Sequence, residues 1–353
     1  MAYETGNATG VNDLIDKLRI FCVANGWTQN GWADDTKSYY GTIGATGKRL
    51  HLSKNSFYVN LRSVPHNASN YDMPFQLNIT SGSESDPNQY YASQVRDGIA
   101  ANISLGYDGG QFWDEQPNAI KDSYSSPKFT GVCINQIMGA IPTYHFLAYG
   151  DYDMVAVIVE YPIGTFQFLV WGRIQTFGGS AWTGGEFVTA SAGGYYTYNT
   201  YMGYPFGYNH YRYPNFWMRA EVDASYTGKW YGASTSAGSV GYAGRRLRTS
   251  FFQPATAGAV TNTLQSLNCW PYRCSPSSFN GVAPFFPILI TVERDSNLYS
   301  PAGVVPYTRQ VNITSIAAGE IIAFGADQWI VFPSYQKGST RSLNSGVAFR
   351  YGI

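Results

Sequence analysis

At 353 residues the chain is long enough for one large β domain or two ordinary ones, and a hydrophobic fraction of 44% excludes a chain disordered throughout. Charged residues make up only 13%, about half the roughly 25% usual in soluble domains, and 23 Lys+Arg balance 23 Asp+Glu. That balance excludes the basic footprint of a nucleic-acid or anionic-membrane binder, and it leaves little repulsion between copies of the chain.

The opening Met1–Thr5 has neither a basic run nor an apolar one, so a cytoplasmic start is expected. Val11, Leu14, Ile15, Leu18 and Cys22 then recur at helical spacing and predict an amphipathic helix over about 11–25. Thr9 or Asn12 is placed to cap its start, and Asn25-Gly26 supplies a left-handed stop. Arg49–Leu52 and Ser56–Leu61 predict a hairpin around Ser53–Asn55, and Phe75, Leu77 and Ile79 alternate like another strand. The strongest hairpin pairs Met154–Tyr161 with Thr165–Ile174. Its first arm is apolar at consecutive positions, as a strand covered on both faces requires, and Glu160, Pro162 and Gly164 exclude a membrane span. The helix is a natural cover for one of those faces, which predicts an α+β unit over residues 1–190.

Residues 191–217 change character. Tyr195, Tyr196, Tyr198 and Tyr201 lead into Tyr204, Phe206, Tyr208, Tyr211, Tyr213, Phe216 and Trp217, with Gly and Pro between them. Such a run predicts a long contact loop, because Tyr and Trp give large, half-polar contact area at low entropic cost. A subunit interface is the favoured use. Stacking on a host surface glycan is the alternative, with Asn199, Asn209 and His210 supplying hydrogen bonds. Residues 218–353 return to short strands around Ile288–Val292, Val311–Thr314, Ile321–Phe324 and Trp329–Phe332, expected to form a small β-barrel or sandwich. The expected fold class is therefore mainly β with one N-terminal helix.

Candidate chemistry is sparse. A glycan-cleaving site needs two carboxylates across a cleft, and the candidates are Asp114, Glu115, Asp151, Asp153, Glu160 and Glu186. Asp114 and Glu115 are adjacent, and Asp151 and Asp153 flank Tyr152 where a turn is expected, so structural roles are favoured. His51, His66, His145 and His210 accompany no nucleophile motif, and His145 is expected to be a packed strand residue. Arg245-Arg246-Leu247-Arg248 is a single basic cluster, better suited to a solvated or subunit-contact patch than to nucleic acid. Cys22, Cys133, Cys269 and Cys274 are too few to staple the chain; Cys269 and Cys274 lack further zinc ligands nearby and are expected as thiols. No catalytic residue, cofactor or metal is expected.

Three ordered blocks carry a resemblance. Gly150-Asp151-Tyr152-Asp153, an apolar strand, Gly164, Trp171-Gly172-Arg173-Ile174 and Trp182–Phe187 form one. Gly319-Glu320, Gly325–Pro333 and Ser345–Tyr351 form another, and the leucine-bearing helix ending at Gly26-Trp27 a third. Together they resemble tailed-bacteriophage tail and baseplate virion proteins. The resemblance implies a non-enzymatic structural subunit, present in several symmetric copies and assembled in the host cytoplasm into the virion tail. Its implied partners are tube, sheath or baseplate components and copies of itself, without nucleic acid and without membrane insertion.

Overall fold

The computed structural model describes residues 1–35, 46–64, 98–104, 132–135, 139–160, 164–178, 183–193, 206, 215–221, 230–233, 245–250, 277, 283–293, 299–334 and 344–352. The fold is mainly β, with a single helix near the N-terminus among these residues. Strand β1 (Ala2–Ala8) precedes helix α1 (Val11–Ala24), followed by β2 (Thr28–Asp35), β3 (Gly47–Lys54), β4 (Phe57–Val64), β5 (Gly98–Ser104) and β6 (Val132–Asn135). The central run is β7 (Ile141–Tyr149), β8 (Met154–Glu160), β9 (Phe166–Arg173), β10 (Gln175–Thr176), β11 (Thr183–Ala190) and β12 (Ala192–Gly193). Then come β13 (Phe216–Glu221), β14 (Trp230–Ala233), β15 (Arg245–Thr249), β16 (Phe286–Glu293) and β17 (Tyr299–Asn312). The chain closes with β18 (Glu320–Phe324), β19 (Asp327–Pro333) and β20 (Ser345–Tyr351).

Helix α1 forms where its apolar spacing places it, burying Val11, Leu14, Ile15, Leu18, Phe21 and Cys22. Its start differs from expectation. Gly10 is the N-cap without a side-chain bond, and the Asp13 carboxylate reaches back to accept from the Thr9 N–H at 2.8 Å. Asn12 instead donates to the Thr46 carbonyl. The stop is as expected: Asn25 donates its side-chain amide to the Phe21 carbonyl, and Gly26 turns the chain with φ of 82°.

The strands form two sheets. One is 14-stranded, in the order β1-β7-β8-β9-β11-β13-β14-β15-β16-β17-β20-β19-β18, with β10 pairing off this path to β17. The other runs β12-β6-β5-β4-β3-β2. In the hairpin between β3 and β4, Lys54 pairs with Phe57 across Asn55 and Ser56, both at positive φ, so the turn is a two-residue type I′ one to two positions later than expected.

Strand β8 is buried on both faces, as its composition predicts. Val155, Val157 and Val159 enter a core with α1, with Leu50, Leu52, Val59 and Leu61 of the six-stranded sheet, and with Trp27 and Trp171. Met154, Ala156 and Ile158 enter a second core with Phe166, Phe168, Ile290, Phe332, Val347 and Phe349. This second core joins residues on both sides of position 190. The large sheet therefore coils back on itself, and the C-terminal strands are its continuation rather than a separate sheet. Ring contacts mark the closure: Phe168 lies 6.3 Å from Phe349, Phe166 5.8 Å from Phe332, and Tyr3 5.1 Å from Tyr351. The Tyr149 hydroxyl donates to the Arg350 carbonyl at 2.6 Å across the same seam.

One side chain sits at odds with its surroundings. Thr308 and Gln310 face Phe349 and Val347 across the β17–β20 ladder, so Gln310 points to the side of the second core. Gln310 is 1% exposed, and neither of its amide atoms has a hydrogen-bond partner. An orphaned buried amide costs on the order of 1–3 kcal/mol. Gln310→Met is therefore expected to raise stability in urea by about 1 kcal/mol. A fall would mean that an interior water holds the amide.

Candidate functional site

Segments of one of the three blocks carrying the sequence resemblance, those that hold Asp153, Arg173 and Glu186, converge on one polar junction. The turn after β7 ends at Asp153, which is buried and at a φ of 48°, with its N–H bonded to the Gly150 carbonyl. Asn55, at the tip of the β3–β4 hairpin, donates its side-chain amide to both Asp153 oxygens at 3.0 and 3.2 Å. Arg173, at the end of β9, donates its Nε to Asp153 at 3.3 Å, one terminal nitrogen to Glu186 at 2.6 Å, and the other to the Asn55 carbonyl at 2.7 Å. Arg219 of β13 reaches the second Glu186 oxygen at 3.4 Å, and Lys54 lies 3.7 Å from Asp153. The guanidinium of Arg173 also covers the Phe57 ring at 5.6 Å.

The motif glycines allow this convergence. A Cβ on Gly172 would fall 2.8 Å from the Met154 Cα, and one on Gly184, at φ 110°, would fall 2.7 Å from the Arg219 carbonyl. Strands β8, β9, β11 and β13 can thus crowd the charged groups together. Chemically the junction is a clasp between the two sheets. Asp153 is held by Arg173, Lys54 and the Asn55 amide, and Glu186 by Arg173 and Arg219.

Two other carboxylates named from sequence, Asp151 and Glu160, are also engaged. Asp151 accepts from the Tyr307 hydroxyl at 2.8 Å, and Glu160 accepts from the Gly164 N–H at 2.8 Å, closing the β8–β9 turn. Asp114 and Glu115 lie outside the described residues. Tyr307 has a φ of 55°, costly for an aromatic residue. It is held there by stacking on Tyr149 at 4.5 Å and by Tyr152 edge-on at 5.7 Å.

The aromatic run divides differently from expectation. Phe206 and Phe216 are 0% exposed and belong to the second core, and Trp217, at 2%, belongs to the first. These three side chains are spent on internal packing and offer no outward contact. Tyr195, Tyr196, Tyr198, Tyr201, Tyr204, Tyr208, Tyr211 and Tyr213 lie outside the described residues, as do His66, His210, Cys269 and Cys274. Cys22 and Cys133 are buried, and desolvation pushes both thiols well above their ordinary range, which makes them inert near neutral pH. In the Arg245–Arg248 cluster Leu247 is buried in the second core. Among the described residues no group of His, Cys, Asp and Glu could hold a metal ion, and no helix is long and apolar enough to cross a membrane.

An outward feature that sequence reasoning did not single out is the β18–β19 hairpin. Gly325, at φ 65°, begins its two-residue turn, and Phe324 pairs with Asp327. On β18, Ile321 is 47% and Phe324 48% exposed, although Phe324 stacks on Phe285 at 5.1 Å. Among the described residues β18 pairs with β19 alone, so its far edge carries open N–H and C=O groups. The sequence signal was present in the apolar string Ile321–Phe324 itself, but local pattern does not distinguish an edge strand from an inner one. No model of a known protein family matches the chain, and no curated protein matches it in sequence.

Two predictions follow from the groups placed here. Arg173→Ala removes the cation shared by Asp153 and Glu186, and is expected to cost about 2 kcal/mol in a urea titration, because both little-exposed carboxylates lose a charged partner. His145 lies at the seam, with its Nδ1 2.7 Å from the Tyr3 hydroxyl and its ring 4.7 Å from Phe332; burial pushes its pKa down to about 4. The unfolded chain holds the His145 proton below about pH 6.5, whereas the folded chain does not until about pH 4. The contribution of neutral His145 is thus complete above pH 6.5 and is lost as pH falls toward 4. His145→Phe is expected to flatten the stability curve across that window relative to the wild type.

Proposed function

We propose that the chain is a non-enzymatic structural subunit of a bacteriophage tail, in the baseplate or around the tube, assembled in the host cytoplasm and carried in the virion. The observation that supports this reading most is the edge of β18, which among the described residues pairs with β19 alone and leaves Ile321 and Phe324 about half exposed, a feature that suits a chain whose surface is completed by a neighbour. The sequence resemblance adds to it, and three segments of its central block, at Asp153, Arg173 and Glu186, meet in a clasp that ties the two sheets together. The neutral charge balance suits close packing of copies. The partners proposed are neighbouring tail proteins and further copies of the chain.

The test is composition of the particle. Virions from a phage encoding the chain are purified, their proteins are quantified by mass spectrometry, and the tail is probed with gold-labelled antibody against the chain. Several equivalent copies per particle, with label on the tail, are expected. Absence of the chain from purified particles, with free chain in the lysate, would overturn the reading.

A further inference from the structure

The ends of the two sheets are not alike. Strand β12 is described over the two residues Ala192–Gly193. Strand β1 carries a register shift between Gly6 and Ala8, and β2 carries one between Gln29 and Gly31 and ends in Asp34 and Asp35. Irregularity, charge and shortness are the devices by which sheet edges avoid pairing with other chains. Strand β18 lacks the irregularity and carries its charge only at one end. Its ladder to β19 runs without a shift from Glu320 opposite Val331 to Phe324 opposite Asp327. It has no Pro and no Lys, and Glu320 is its one charge.

We infer that β18 is a self-pairing edge, which joins to β18 of a second copy of this chain in antiparallel register about a two-fold axis. The inference rests on the reading of the chain as an assembly subunit, and names the partner of that surface. The position of the charge selects the occupant and the direction. Full antiparallel overlap of the five residues sets Ile322 against the partner subunit's Ile322, Ile321 against the partner subunit's Ala323, and Glu320 against the partner subunit's Phe324. The two carboxylates then lie at opposite ends of the new ladder, in water. A parallel arrangement would put like charges side by side, which is destabilising. A two-fold contact is satisfied by one surface used twice, so it needs no second patch elsewhere on the chain. Alternate residues of β18 direct their N–H and C=O to the open side, so pairing satisfies backbone groups as it covers Ile321 and Phe324.

The register makes the test specific. Directly opposed residues on antiparallel strands hold their Cβ atoms about 4.5–5.5 Å apart, close enough for a disulfide, whereas diagonal neighbours are about 7–8 Å apart. In the full chain with Cys269→Ser and Cys274→Ser, Ile322→Cys is expected to form a disulfide-linked dimer under mild oxidation. Ile321→Cys alone should cross-link at least about tenfold less, and Ile321→Cys with Ala323→Cys should restore it. Ile322→Lys, which opposes two ammonium groups, is expected to shift the solution mass toward monomer with an unchanged circular dichroism spectrum. Equal cross-linking at Ile321 and Ile322, or none at either, would overturn the pairing even where the chain is present in virions. A strong Ile322 cross-link in a chain absent from virions would uphold the pairing and overturn the tail reading.

Discussion

Strand β8 has no polar side to give to water. Six consecutive residues from Met154 to Val159 are buried, and alternation sends three to each face, so each face must find its own roof. The first roof is α1 with the six-stranded sheet, and the second is the returning half of the same large sheet. At about 25 cal/mol per Å² of apolar surface, exposing either face would cost several kcal/mol, enough to dominate the marginal stability of a domain. The coiling of the large sheet, the seam at Tyr3 and Tyr351, and the placement of the hairpin that bears Asn55 all follow from covering this strand twice.

The scarcity of charge gives each ionic group more structural weight. Asp153, Arg173, Glu186 and Arg219 bind the hairpin tip to three strands, and Arg62 and Asp35 make a buried ion pair of 2.8 Å on the six-stranded sheet, with burial pushing the Arg62 pKa down to about 10. His51 and Asn60 are hydrogen-bonded at 2.8 Å on the same sheet, and Asn60 donates to Ser104. Buried polar contacts of this kind contribute little net stability against apolar replacements but heavily penalise wrong arrangements, since a displaced partner is left in a dry setting. The clasp at Asp153 and Arg173 fixes how the two sheets meet, the pairs on the six-stranded sheet fix its own strand arrangement, and apolar burial supplies the driving force.

What could be seen in the sequence was what short-range pattern encodes. The helix appears in the spacing of Leu14, Leu18 and Cys22, the doubly covered strand in the unbroken apolar run of β8, and the last hairpin in Gly325 between two β-rich strings. The six-stranded sheet was hidden, because Gly98–Ser104 and Val132–Asn135 are short segments that pair across long stretches of chain. The clasp was hidden for the same reason: Arg173 stands 20 residues from Asp153 and 13 from Glu186, and no local rule links them. Continuity of the large sheet across residue 190 is likewise a matter of long-range pairing. The aromatic run misled in part because composition records ring content and not direction. Phe216 and Trp217 are adjacent on β13 and point into different cores.

Interior and surface are thus organised by one economy of polar groups. Where two parts of this chain must meet in a defined way, charges and amides are concentrated, as at Asp153 and Arg173. Where strands must not recruit other chains, register shifts and acidic residues occur, as on β1 and β2. Strand β18 has no register shift and a single acidic residue at its end, and it keeps an even ladder and two half-exposed apolar side chains. An edge that stands open among the described residues, where β1 and β2 are interrupted, is better explained by a contact it is built to make than by neglect, because an open apolar edge carries a standing aggregation cost. A single carboxylate at one end of that edge then sets direction, since only antiparallel overlap keeps the two copies' Glu320 residues apart.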